Sequence, residues 1–207
     1  MRFPSLVFVV VALVAAGCAA STTELQNMWR DPHYAEPPIR SAFVLAVRKD
    51  PVRRRLWEDS YVAQLAKHGV QATPSYSVYA DDLPDTDAVR DYVDQKGYDA
   101  TIFSAGEGTQ EVDKYVAGYA TTEPVTYFHP MWGTYVTYYR DVYHPGYVET
   151  NTAVRIRTDV WRKTGRYEGK LVWSGTSATV DPTSTNDFSH EVAELVTHEL
   201  AKNHFIP

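Results

Sequence analysis

Apolar and polar positions first fall into a clear pattern at residues 41–49, "SAFVLAVRK", a mostly apolar run rich in β-forming residues that reads as an inner strand. Asp50-Pro51 then offers an N-cap followed by proline at the first helical position. The spacing predicts a helix to Lys67 or His68 with Trp57, Tyr61, Val62 and Leu65 on one face and Gly69 as its stop. Residues 70–80 form a weaker strand candidate, with Pro74 placing the regular part after itself. Asp85 or Thr86 caps a second helix through Lys96, with Val89, Tyr92 and Val93 as its apolar face and Gly97 as terminator. A strand over 98–106 follows, and this alternation favours helices packed against a sheet.

The clearest two-residue period lies further on. In 151–165, Val154, Ile156 and Thr158 alternate with Arg155, Arg157 and Asp159, as in a half-solvated antiparallel strand. The turn "RYEG" leads into 170–180, where Val172, Ser174, Thr176, Ala178 and Val180 are expected on one face of a long hairpin. Ser184 with Asp187 resembles a capping box that opens a last helix, whose stripe is Phe188, Val192, Leu195, Val196 and Leu200. The expected fold is α+β: a mixed or antiparallel sheet of five to six strands, with two to three helices packed mainly on one face.

Residues 107–149 interrupt this regularity with a segment dense in tyrosine, within which 134–142 reads as an extended strand or hairpin arm. The expectation is that its rings pack a long connection over the sheet. The alternative is a ligand or partner surface formed by Tyr127, His129, Trp132, Tyr135, Tyr138, Tyr139, His144 and Tyr147, because rings provide large contact area at low entropy cost. His129 and His144 each precede a proline and would bind a metal or an anion if a hairpin brought them together.

The start of the chain has a different character. Arg2 precedes an uninterrupted apolar run over 6–16, too short to cross about 30 Å of hydrocarbon and therefore read as an export signal. The only cysteine, Cys18, stands at the boundary after Ala15, Ala16 and Gly17. "LVAAGC" resembles the bacterial lipoprotein signal, which implies cleavage before Cys18, acylation of its thiol and amine, and attachment to membrane lipid. Ala19 after the cysteine implies, by the same resemblance, sorting to the outer membrane with the domain facing the periplasm.

Three units are expected: a signal peptide over 1–17, a lipidated N-terminus and flexible tether over 18–40, and one domain over 41–207 with 107–149 as an insertion. With 44% hydrophobic and 22% charged residues in 207, the chain is globular in composition and long enough for one sizeable core. No second cysteine is present for a disulfide. Removal of 1–17 takes the formal side-chain charge from −6 to −7, a sign that does not gather nucleic acid.

The order of elements, Asp99-Ala100 entering a central strand, Trp173-Ser174-Gly175 in a later one and the closing "HFIP" resemble a family of uncharacterised bacterial outer-membrane lipoproteins. Their single α+β domain is distantly like the N-terminal domain of TolB. The resemblance covers roughly 41–106 and 147–207, leaves the aromatic segment outside it, and implies no catalytic residue. Trp173 reads as a core anchor and Gly175 as room for its ring.

Chemistry offers little else. His190, Glu194 and His198 share one helix face within about 80°, yet extend over roughly 12 Å, too far for all three to hold one ion. No phosphate-binding loop, dinucleotide fingerprint or nucleophile elbow occurs. The expected function is noncatalytic and without cofactor: an envelope structural or accessory protein that docks a protein partner. The alternative is a glycan or small-ligand module built from the aromatic segment.

Overall fold

The computed structural model describes residues 22–166, 168–182 and 184–207; the signal-like stretch and Cys18 lie outside them. Strands β1 (Thr22–Arg30), β2 (Ser41–Val47), β3 (Gln71–Pro74), β4 (Ala100–Val116), β7 (Tyr147–Gly165) and β8 (Glu168–Val180) form one sheet in the order β1-β8-β7-β4-β2-β3. Among the described residues, strands β5 (Tyr119–His129) and β6 (Thr134–His144) pair only with each other. The helices are α1 (Pro51–Lys67), α2 (Thr86–Lys96) and α3 (Thr185–Lys202). This is the mixed α+β architecture expected from the sequence.

Connection lengths explain the strand directions. β2 runs parallel to β3 and β4 because α1 and α2 carry the chain back between them, whereas the β7–β8 turn makes that pair antiparallel. On one face, Ala42, Val44 and Ala46 of β2, with Ile156 and Val160 of β7, pack against Trp57, Tyr61 and Leu65 of α1 and Val192, Val196 and Leu200 of α3. The other face of β2 presents Phe43 and Leu45 to Val89 and Val93 of α2. Two helices thus cover one face and one covers part of the other.

The caps form as the sequence predicts. Asp50 accepts from the backbone N–H groups of Val52 and Arg53 at 2.8 and 3.2 Å, Asp85 from that of Ala88 at 2.8 Å, and Ser184 from that of Asp187 at 3.1 Å. Gly97 ends α2 in the left-handed conformation, φ 73°.

A buried ionic network locks the corner between β2 and α1. Glu58 is fully buried, and its Oε1 accepts from the Ala46 backbone N–H at 3.0 Å, Arg54 Nε at 3.1 Å and Ser75 Oγ at 2.6 Å. Its Oε2 accepts from the Tyr76 N–H at 2.9 Å. Arg54, itself buried, donates onward to Ser75 Oγ and to the Asp82 carbonyl. Every heteroatom of the pair thus has a use, which is what makes burial of two charges tolerable.

Four features correct the sequence reading. Residues 22–30 are not part of a flexible tether: they form edge strand β1, paired with β8 and tied to α3 through Thr23 Oγ1 on Glu191 Oε2 at 2.8 Å and Arg30 Nη1 on Asn203 Oδ1 at 3.1 Å. β3 ends at Pro74 rather than starting after it, since the carbonyl of Ser75 then closes a 3-10 turn with Val78. A register shift between Val160 and Trp161 breaks the alternation of β8, so neighbours Val172 and Trp173 are both buried. Finally, 107–149 is no covering loop; it is β structure throughout most of its length.

Candidate functional site

β4 and β7 outrun the sheet. β2 stops pairing with β4 at Ala105, and β8 stops pairing with β7 at Ala153, but the β4–β7 ladder continues to Val116 opposite Tyr147. A register shift falls at Gly106–Gly108, where Gly108 takes φ 128°, and beyond the Gln110–Ala153 pair the two strands have only each other among the described residues. The links to β5 and β6 then pass side by side: a Cβ on Gly118 would lie 2.8 Å from the Gly146 nitrogen, and one on Gly146 would lie 2.9 Å from that of Gly118. β5 and β6 follow in unbroken register from Tyr119–His144 to His129–Thr134. At about 3.4 Å per residue, this last ribbon is about 34 Å long.

Threonine and tyrosine at half of the β5 and β6 positions make this segment a good strand without making it a core element. Its rings meet one another across the strands. On one face Tyr127 packs edge-on against Tyr138, ring centres 5.9 Å apart, and His129 stacks on Trp132 at 4.2 Å. On the opposite face Phe128 meets Tyr135 at 5.4 Å. Tyr119 stacks on His144 at 4.6 Å where the ribbon begins. Between these clusters lie polar pairs: Thr126 with Thr137 at 2.7 Å, Thr122 Oγ1 on Asp141 at 2.7 Å, and Glu123 with Arg140 at 3.7 Å.

The eight rings singled out in the sequence therefore do not form one site. Tyr127, His129, Trp132 and Tyr138 gather near the far turn; Tyr135 and Tyr139 lie on the reverse face; His144 and Tyr147 belong to the base. His129 and His144 stand at opposite ends of the ribbon, so no hairpin brings them together. The expectation that the rings pack over the sheet is also overturned, because Trp132 is 67% exposed, Tyr135 72% and Tyr139 71%.

Sequence reading missed Tyr143, 70% exposed, and Met131, 86% exposed. Tyr143 follows Tyr139 and Tyr135 at steps of four, the signal of one strand face. These three tyrosines form a solvent-facing row on β6, spaced about 13.6 Å apart.

Elsewhere the structure offers less chemistry. His190 Nε2 lies 2.9 Å from Gln64 Nε2, and its Nδ1 lies 3.7 Å from Glu194; among the described residues no cluster of His, Cys, Asp and Glu is arranged to hold a metal. No described helix is long and apolar enough to cross a membrane. A cleft of about 360 Å³ opens between α2 and the outer sheet face. Val89, Val93, Phe103 and Trp161 give it apolar walls, and Arg90 and Lys163 are among its charged lining residues, with Lys163 held 2.6 Å from Asp94. It has room for a small apolar group.

No family model matches the chain, and no curated protein does. Among solved structures, a PelC dodecamer from Paraburkholderia phytofirmans is similar over 86% of this chain and 96% of that one, with 12% identity and a TM-score of 0.44. A PDZ domain protein from Parabacteroides distasonis is similar over 74% of this chain and 30% of that one, with 9% identity and a TM-score of 0.31.

Proposed function

We propose that this chain is a noncatalytic binding module, held at the bacterial outer membrane and facing the periplasm through an acylated Cys18, whose working surface is the aromatic ribbon. The ligand is an extended glycan, or another small ligand able to stack on tyrosine rings. The row of Tyr135, Tyr139 and Tyr143 carries this reading: three large rings on one strand face, each about 70% exposed, none used by the core. A repeated ring spacing along a strand suits a repeated ligand better than a compact one. The resemblance to uncharacterised outer-membrane lipoproteins and the signal-like start support the location.

The test is native electrophoresis through gels containing each of a panel of linear polysaccharides. The wild-type chain is expected to be retarded by at least one, and the Tyr139→Ala/Tyr143→Ala variant to migrate freely with an unchanged thermal midpoint. Equal retardation of both proteins would reject the row as the binding surface.

A second reading, docking of an envelope protein, is favoured by a different observation. Among the described residues β5 and β6 pair with no third strand, so both outer edges of the ribbon present backbone groups to which another chain can add a strand.

A further inference from the structure

The far turn of the ribbon differs from the tyrosine row in composition. No Asp, Glu, Lys or Arg occurs between residues 124 and 139, a stretch that includes Phe128, Met131, Trp132 and Tyr135. The turn itself, closed by the N–H groups of Trp132 and Gly133 on the His129 carbonyl, points Met131 and Trp132 into solvent. The nearest charges, Glu123 and Arg140, face each other and neutralise one another. Exposed Trp, Tyr, Phe and Met on a charge-free tip suit the headgroup boundary of a bilayer, where ring bodies leave water and their polar edges stay wet.

Topology brings the base of the ribbon and the start of the domain to the same side. Thr22 opposes Val180, Val180 opposes Ala153, and Ala153 opposes Gln110, so these four residues form one row across the sheet. β1 is antiparallel to β8, hence the chain preceding Thr22 leaves by the end at which β4 and β7 run on past the sheet. Six more β4–β7 rows lie beyond Gln110, about 20 Å of ribbon before β5 begins. The chain from Cys18 to Thr22 reaches at most about 14 Å. A ribbon that outreaches its tether and leaves by the same end meets the surface to which the tether is fixed.

We propose that the tip formed by Phe128, Met131, Trp132 and Tyr135 seats in the interfacial layer of the same lipid bilayer that holds Cys18. The domain then has two points of attachment, one covalent and one by ring insertion, which fixes its orientation and lays the tyrosine row along the membrane. This inference rests on lipid attachment at Cys18; it takes Tyr135 from the tyrosine row and leaves Tyr139 and Tyr143 for the ribbon's ligand.

The test uses the lipidated full chain carrying Trp132→Cys, labelled there with nitrobenzoxadiazole, since an acylated Cys18 has no free thiol. A second protein carries the label at Lys67→Cys, at the end of α1 remote from the ribbon. Both are reconstituted in phosphatidylethanolamine–phosphatidylglycerol vesicles, with or without lipids bearing a shallow doxyl quencher. The label at 132 is expected to shift to the blue and to be quenched several-fold more than that at 67. If the protein floats with vesicles while the label at 132 emits as in water, the tip proposal falls and attachment at Cys18 stands. A label at 132 shielded from water but untouched by lipid quencher would assign the tip to a protein contact and equally overturn the proposal. Failure to float with vesicles would reject the lipid anchor and the tip proposal together.

Discussion

The indole of Trp173 covers the backbone of Gly175 two residues further along the same strand: a Cβ built on Gly175 would lie 2.8 Å from Cζ2 and 3.1 Å from Cζ3 of that ring. Trp173 is fully buried, so the ring has nowhere to retreat. Gly175→Ala is expected to destabilise the domain by about 1–3 kcal/mol through overpacking. Urea unfolding checks this: the midpoint should fall with little change in slope, since the surface exposed on unfolding is the same.

Glu58 is the common acceptor of four hydrogen bonds at the β2–α1 corner. Glu58→Ala strands the buried Arg54 guanidinium without a counter-charge and is expected to cost about 3–5 kcal/mol. A loss below about 1 kcal/mol in the same unfolding assay would mean that the corner is held by something else.

Alkaline pH should weaken the fold through Tyr61. Burial pushes its phenol up from 10.0 to about 12, although the hydrogen bond with Thr158 at 2.7 Å works in the opposite direction. A raised folded pKa means that the neutral phenol is favoured in the native state, so stability is intact below pH 10 and declines as pH rises from 10 through 12. The loss is on the order of 2–3 kcal/mol. Unfolding midpoints of the wild type and Tyr61→Phe across that range should converge as pH rises. Tyr76, raised to about 12 chiefly by its hydrogen bond to Asp59, contributes a decline in the same window to both proteins.

The ribbon is dispensable for the core. None of the buried residues that form the two apolar clusters comes from 106–152. Replacing 117–146 with a two-residue Asn-Gly turn between Val116 and Tyr147 is expected to move the thermal midpoint by no more than about 4 °C. A larger drop would show that the ribbon packs on the body.

Much of the body is legible in the sequence because its signals are local and redundant. Asp50, Asp85 and Ser184 cap the helices they are expected to cap, and Val154, Ile156 and Thr158 face inward on β7 as their alternation predicts. β1 was hidden because its stability comes from elsewhere: Thr23 and Arg30 find partners on α3 and at its C-cap, more than 160 positions away. The register shift beside Val160 likewise has no local signature, and it alone decides that Val172 joins Trp173 in the core.

The ribbon was misread for a different physical reason. Aromatic side chains weigh as core formers, and the sequence holds no clue that β4 and β7 continue beyond their neighbours. Tyr135, Tyr139 and Tyr143 nevertheless declare one face by their spacing. The strands were visible in part over 134–142; their detachment from the main sheet was not.

The edge position of β1 also bears on the order of assembly. Thr23 and its neighbour Thr179 on β8 are separated by 156 residues, so the first strand to be delivered acquires its place only after nearly all the rest has arrived. Until then β2, β4 and β7 can associate without it. Once β8 is laid down, β1 closes against it, and the domain's first strand becomes the last edge of its sheet.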